Sequence, residues 1–198
     1  MPQFGLRGMK IAKYAYTNGA VVYSELQTVG AAMQANIELR RAEARLYADD
    51  GLAEYMTSAT GGTISLGVKY IPDAAQKLLF GLIDMSRSVT PTGGTATTVV
   101  GLGVSAKSEG NYVGVAFYCP ALKDSQKVFW CCRITKAMFG PPSLSLQTKG
   151  ENIVFNTPTT TGEMLMSDAE DSLLYESAYV DSEAAAKAWV DASLTTTP

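Results

Sequence analysis

Apolar and polar side chains alternate along the middle of the chain with a period of two. In the segment YVGVAFYC, which begins at Tyr112, the residues Val113, Val115 and Phe117 alternate with smaller or polar ones. In KVFWCCRITKAMF, which ends at Phe139, the residues that share one parity are Val128, Trp130, Cys132 and Ile134. Strict alternation places every second side chain on one face, so both segments are predicted to be half-buried strands. The short polar segment LKDSQ between them predicts a hairpin.

Turn residues divide the rest of the chain into further short strands. Gly140-Pro141-Pro142 predicts a corner, because consecutive prolines cannot supply ladder N–H groups. The other predicted strands are Lys10–Tyr16, Val21–Tyr23, Val29–Met33, Thr63–Tyr70, a β-rich run over Thr97–Ala106, and Ile153–Thr157. The predicted turns and loops are Thr17–Gly19, Gly61-Gly62, Ser86–Thr95 with Gly93-Gly94, and Lys149–Asn152.

The segment Ala35–Ala48 carries two conflicting signals. Its Glu, Leu, Arg and Ala residues favour a helix. However, Ile37 and Leu39 alternate with polar neighbours, and the alternation resumes after Arg40-Arg41 at Ala42, Ala44 and Leu46. A two-residue polar step of this kind is typical of a β-bulge, so we interpret the segment as a strand.

Two segments have complete helical signals. Pro72–Phe80 is followed by Gly81, a residue that commonly ends helices. Asp181–Ser193 begins with a capping residue, Asp181 or Ser182, and places Ala185, Trp189 and Ala192 on one stripe. The predicted fold is therefore mainly β, an antiparallel sandwich or barrel with one short flanking helix and a C-terminal helix.

Composition and charge add one asymmetry to this picture. The 198 residues suit one domain spanning 1–198, and 46% of them are hydrophobic and 18% charged. No apolar run approaches the roughly 20 residues that cross a bilayer, and the first ten residues lack a signal-peptide core, so we expect a soluble chain without a membrane partner.

Residues 1–150 carry 15 basic and 10 acidic side chains, whereas residues 151–198 carry 9 acidic ones and only Lys187 as a base. Residues 163–198 are thus predicted to form an acidic C-terminal extension that holds the terminal helix. This asymmetry indicates either a solubilising face or a surface that meets a basic region of another subunit.

The residue types exclude several kinds of site. The chain has no histidine, which excludes a Ser-His-Asp or Cys-His mechanism. Its three cysteines, Cys119, Cys131 and Cys132, lack metal-ligand spacing and are expected to be reduced and buried. Gly101-x-Gly103 lacks the third glycine of a dinucleotide fingerprint. We therefore predict no cofactor, no metal and no catalytic residues; an enzyme that uses Asp49, Asp50 and Glu54 is the weakest alternative.

One family resemblance emerges from the order of several segments. The stretch LYADDGLAE, at residues 46–54, resembles a segment of the major tail proteins of bacteriophages with long, non-contractile tails. The stretch GGTISLGV from Gly61, the short helix ending at Gly81, the strand YVGVAF from Tyr112, and TKGENIVF with Thr157-Pro158 are similar to that family in the same order.

The resemblance implies a tail-tube-like domain whose function is structural. Such subunits form hexameric rings that stack into the tail tube of the virion, and we expect assembly in the host cytoplasm. Their partners are other copies of the subunit, the tape-measure protein, and the tail-terminator and distal tail proteins. DNA passes through the lumen without specific binding, and the family has no catalytic residues to carry over. The alternative is a β-class binding module of a phage tail that recognises a receptor or carbohydrate.

The segment Leu46–Met56 is the predicted contact between subunits. It places several large apolar side chains around a polar turn, and an exposed apolar patch usually marks a partner site. The residues expected at this contact are Arg40, Arg41, Leu46, Tyr47, Asp49, Asp50, Leu52, Tyr55 and Met56. In the competing interpretation, this segment folds back on its own core.

Overall fold

A computed structural model describes residues 2–49, 51–143 and 157–195. Its strands are β1 (Arg7–Thr17), β2 (Ala20–Thr28), β3 (Ala32–Ala48), β4 (Gly51–Val68), β5 (Ile83–Val89), β6 (Thr97–Gly103), β7 (Tyr112–Lys123), β8 (Gln126–Phe139), β9 (Thr159–Leu165) and β10 (Tyr175–Val180). Its helices are α1 (Asp73–Phe80) and α2 (Glu183–Ser193). Strands make up 61% of the structure, which confirms the mainly β prediction.

Most strands belong to one antiparallel sheet. Its order is β2-β1-β7-β8-β9-β4-β3, and β10 also pairs with β8. β9 and β10 share one edge of β8, because β10 pairs with Phe129–Ile134 and β9 with Lys136–Phe139. β5 and β6 form a separate two-stranded sheet. The central β7–β8 hairpin turns at Asp124-Ser125, two residues with positive φ, as a type I′ turn requires.

The larger hydrophobic core lies on the side of the sheet that faces α1. It joins side chains from both ends of the strand order, among them Ile11 of β1, Val115 of β7 and Leu66 of β4. Strands β1 and β4 are separated by three others in the sheet, so the sheet must curl for their side chains to share one core. Helix α1 contributes Leu78 and Leu79 and ends at Gly81, whose left-handed backbone has a φ of 63°.

A second core covers the opposite face of β1, β7 and β8. Ala116, Tyr118 and Cys131 pack there against Ala186 and Val190 of α2. The predicted parity of β7 and β8 is therefore right, but the prediction that they are half-buried is wrong. Both faces are covered, one by the larger core and the other by the terminal helix.

The buried stripe of α2 differs from the one that the sequence predicted. Ser182 caps the helix by accepting a hydrogen bond from the Ala185 backbone N–H at 3.1 Å. The buried side chains are Ala186, Val190 and Leu194, whereas Ala185 and Ala192 are exposed and Trp189 is half-buried. The prediction followed the tryptophan, but the helix turns its smaller residues toward the sheet and leaves the large ring at the margin of the core.

Other sequence predictions divide into three groups. The strand β3, a bulge at Arg40/Arg41 and both helices are confirmed. The predicted strand Val29–Met33 is wrong, because β2 continues to Thr28 and β3 begins only at Ala32. The loop predicted over Ser86–Thr95 is also wrong in its first part, which belongs to β5. The turn predicted at Lys149–Asn152 and most of the strand predicted at Ile153–Thr157 lie outside the described residues.

Many of the acidic side chains after position 150 form ion pairs with bases from earlier in the same chain. Five acidic residues after position 150 pair with basic residues before it: Glu163 with Arg40, Asp168 with Lys136, Glu176 with Arg133, Glu183 with Arg7, and Asp191 with Lys10. Tyr118 also donates a hydrogen bond to Glu183 at 2.9 Å. These contacts fix α2 and the segment before it to β1 and β8, so most of the acidic side chains are already paired with bases of the same chain.

The most enclosed of these pairs joins Lys136 and Asp168. The Lys136 ammonium lies 5.2 Å and 4.6 Å from the ring centres of Tyr14 and Tyr112 and donates to the Asp168 carboxylate at 2.7 Å. The Tyr14 hydroxyl donates to the same carboxylate at 3.1 Å. The hydrogen bond from Lys136, followed by the one from Tyr14, lowers the pKa of Asp168 below its usual value.

This pair predicts an acid-dependent loss of stability. The folded-state pKa of Asp168 is lowered, so its contribution is present above the unfolded pKa of about 4 and is lost as the pH falls through the folded pKa. We expect Asp168→Asn to cost about 1 kcal/mol at pH 7, because the carboxylate is half-exposed and its pair lies between a surface and a buried one. Urea unfolding at pH 7 and below pH 4 measures this difference, which should shrink in acid. Glu170→Gln in the same loop is the control and should change stability little at either pH.

Two neighbouring alanines test the stripe of α2. Ala186→Gln places a polar side chain in the closed second core and should lower the free energy of unfolding by about 2 kcal/mol or more. Ala185→Gln, at an exposed position, should change it by less than about 0.5 kcal/mol. Equal effects of the two substitutions in thermal or urea unfolding would contradict the assigned stripe.

Candidate assembly surface

The hairpin of β3 and β4 extends far beyond the sheet that holds its base. β4 pairs with β9 only over Gly62–Gly67, and beyond that point β3 and β4 pair only with each other among the described residues. We call the projecting ribbon, residues 41–49 and 51–59, the long arm. At about 3.3 Å per residue, its strands reach roughly 25 Å from the sheet.

A bulge and two glycines form the base of the long arm. Arg40 pairs with Gly61 and Arg41 with Ala59, so Thr60 is the extra residue of the bulge. Gly61 has a φ of 145°, and a Cβ added to Gly62 would lie 2.4 Å from the backbone oxygen of Glu38. The predicted turn at Gly61-Gly62 is therefore wrong. The glycines lie inside β4, where the two backbones approach too closely for a side chain.

The large side chains near the tip of the arm are exposed. The exposed fractions are 57% for Leu46, 64% for Tyr47, 50% for Tyr55 and 73% for Met56. These four residues therefore do not fold back on the core of the same chain. Two of the predicted contact positions, Asp50 and the side chain of Leu52, lie outside the described residues.

The two faces of the long arm differ in chemistry. Residues directly opposite each other share a face, so Ala44 and Met56 lie with Leu46 and Glu54 on one side. A shallow depression on this side is lined by Ala44, Leu46 and Met56 together with Arg45 and Glu54, and we call this side the apolar face. On the other face, the Arg45 guanidinium lies 5.6 Å from the Tyr55 ring centre and 3.0 Å from the Glu43 carboxylate.

The charged residues at the base and tip behave differently. Arg40 pairs with Glu163 of the same chain. Within the described part of the chain, Arg41, Asp49 and Glu54 form no ion pair, and all three are exposed.

A second exposed ribbon lies between α1 and β7. β5 and β6 pair over their whole lengths, from Ile83 with Gly103 to Val89 with Thr97. Its exposed apolar side chains, with exposed fractions of 44% to 67%, are Ile83, Met85, Val89, Val99 and Val100. This surface was not predicted from sequence, because serines and an arginine interrupt β5. The alternation of Ile83 and Met85 ahead of a valine-rich run was the signal that could have found it.

The thiols lie in the central hairpin. Cys131 and Cys132 are fully buried on opposite faces of β8, and burial raises their pKa values to about 11 and about 12. Cys119 is opposite Trp130 in the β7–β8 ladder, is only partly buried, and has a pKa raised by the same cause. Since adjacent strand residues point to opposite sides, Cys131 and Cys132 cannot readily pair with each other.

Metal sites, membrane-spanning helices and comparison with known sequences give no further indication of function. Across residues 2–49, 51–143 and 157–195, no group of three Cys, Asp or Glu side chains is arranged to hold a metal ion. In the same ranges, no helix has the length and apolar character needed to span a bilayer. The chain matches no protein-family model and no curated protein sequence.

The base of the long arm makes a testable prediction. Gly62→Ala forces its new methyl group against the Glu38 backbone oxygen, so we expect it to lower the free energy of unfolding by more than about 1 kcal/mol. Gly67→Ala is a matched control in the same strand, since its nearest neighbour would be the Gln34 Cβ at 3.4 Å. That control should be neutral within about 0.5 kcal/mol in urea unfolding, because it also restricts the unfolded chain. A harmless Gly62→Ala would show that the two backbones can separate at the bulge.

Proposed function

We propose that this protein is a structural subunit that assembles with copies of itself into stacked rings, as the tube-forming tail proteins of long-tailed bacteriophages do. The observation that carries the proposal is the long arm, which presents an apolar face and has no partner within the described part of its own subunit. The resemblance of residues 46–54 to the same family, noted from sequence, falls on the tip of this arm. By this proposal, the hexameric state and passage of DNA through the lumen follow the family.

An isolated two-stranded ribbon is a poor free-standing element. Such ribbons are marginally stable in water unless a third strand or another packed element supports them. Leu46 and Met56 are 57% and 73% exposed, so complete burial would contribute roughly 1–2 kcal/mol each to a contact. A contact of that size, repeated in every subunit of a closed ring, gives assembly a substantial driving force. The free monomer thus exposes apolar surface on the arm that assembly would bury.

The proposal contains no catalytic step. Two of the three acidic residues of the enzyme alternative, Asp49 and Glu54, are exposed near the tip of the arm. In a structural subunit they serve as charges that set register against a neighbour, which is the usual contribution of rim charges to an interface.

Met56→Asp tests whether the long arm mediates assembly. We expect purified wild-type protein to form rings or tubes in sedimentation and negative-stain microscopy. Met56→Asp should fold normally by circular dichroism yet weaken each contact more than tenfold, because about 1.4 kcal/mol corresponds to a factor of ten. Tyr16→Asp, a similar change at the far end of β1, is the control and should assemble like the wild type.

Two outcomes would contradict the proposal in different ways. A Met56→Asp protein that assembles to the wild-type size would exclude this face of the arm as a contact. A wild-type protein that stops at a small closed oligomer would instead favour the alternative of a receptor- or carbohydrate-binding module.

A further inference from the structure

We propose that the long arm of one copy docks into an apolar groove on the next copy, an inference that rests on the proposed self-assembly. The groove lies between the N-terminal segment, the first half of β3 and the β7–β8 hairpin. Its apolar lining consists of Phe4, Leu6, Met33, Ala35, Ile37, Phe117, Cys119 and Trp130. We call this surface the core groove.

At the core groove, the edge of the larger hydrophobic core is open to solvent. Phe117 is buried in that core, but Trp130 and Cys119 beside it are only partly covered. Phe4 and Met33 at the rim are 50% and 59% exposed. The space above them is about 400 Å³, enough for several side chains. An apolar insert at this point would extend the core instead of merely touching a surface.

The subunit's own arm cannot reach this groove. Ile37 lines the groove and belongs to the same strand as Leu46, which lies nine residues further along β3. In an extended strand, that separation is about 30 Å. Bending the arm back would break the β3–β4 ladder, so the donor must be another copy. Because arm and groove are different surfaces, the contact is head-to-tail and builds rings or filaments.

Charges on the two surfaces are complementary. The arm tip carries Asp49 and Glu54, which have no ion pair within the described residues. Close to the groove, the β7–β8 turn carries Lys123, which shares the parity of the groove-lining Phe117 and Cys119 and likewise forms no ion pair among the described residues. The preceding residue, Leu122, donates its N–H to the Pro2 carbonyl at 3.2 Å beside the groove-lining Gln3. The apolar face of the arm can therefore enter the groove with its acidic tip near the Lys123 ammonium group.

Site-directed cross-linking tests the docking. Ala44→Cys places a thiol on the apolar face of the arm, and Cys119 provides the native thiol in the groove. Treating assembled protein with a short bis-maleimide should link subunits into a ladder on denaturing gels. Thr57→Cys, on the opposite face of the same arm, is the matched control and should remain near background. Ala44→Cys combined with Cys119→Ser should lose the ladder.

Tryptophan emission gives a second readout. The two tryptophans are Trp130 and Trp189, so a Trp189→Phe protein reports on Trp130 alone. We expect its emission to shift to shorter wavelength on assembly and to remain unshifted in the same protein carrying Met56→Asp. Assemblies that form without the ladder or the shift would overturn the groove as the docking site while leaving self-assembly intact. Absence of any assembly would overturn both proposals.

Discussion

The fold depends on the requirement that both faces of the β7–β8 hairpin be covered. Apolar residues occupy both parities of these strands, and none of the residues Val113–Tyr118 is exposed to solvent. A sheet of this kind cannot leave one side open to water, so it needs a second layer on each face. β4 and α1 contribute to the first layer, and α2 supplies the second. The ion pairs of Lys10 and Arg7 with α2 hold that second layer in place.

The alternation of apolar and polar residues predicted most of the strands and helices. Which faces of the sheet are covered, however, depends on contacts between segments that are distant in the chain. Alternation identified β7, β8 and β3, and the polar step at Arg40-Arg41 located the bulge. The extra residue of that bulge, Thr60, belongs to β4, and only the pairing of the two strands reveals this. Likewise, the alternating pattern of β7 is compatible with one open face. That its second face is closed becomes apparent only when α2, more than 60 residues later, is placed against it.

The position of the candidate contact segment was predictable from sequence, but its geometry as a projecting two-stranded ribbon was not. The cluster of large apolar residues around Asp49 indicated a partner site from sequence. Its free-standing geometry follows from the shortness of β9, whose pairing with β4 ends at Gly62. The sequence alone could not show where the pairing of β4 with β9 ends, because that depends on which strands lie side by side in the sheet. Of the β5–β6 ribbon, β6 was predicted within Thr97–Ala106 but β5 was missed, because its alternation of Ile83 and Met85 is short and is followed by polar residues.

The long arm and the core groove are built from contacts of different sequence separation. The long arm is a hairpin of neighbouring strands, so its pairing closes only a short loop. The core groove instead requires the backbone N–H of Phe4, near the start of the chain, to donate to the Pro120 carbonyl. In the proposed docking, the donor surface therefore depends on local contacts and the acceptor surface on contacts between distant parts of the chain, which form more slowly.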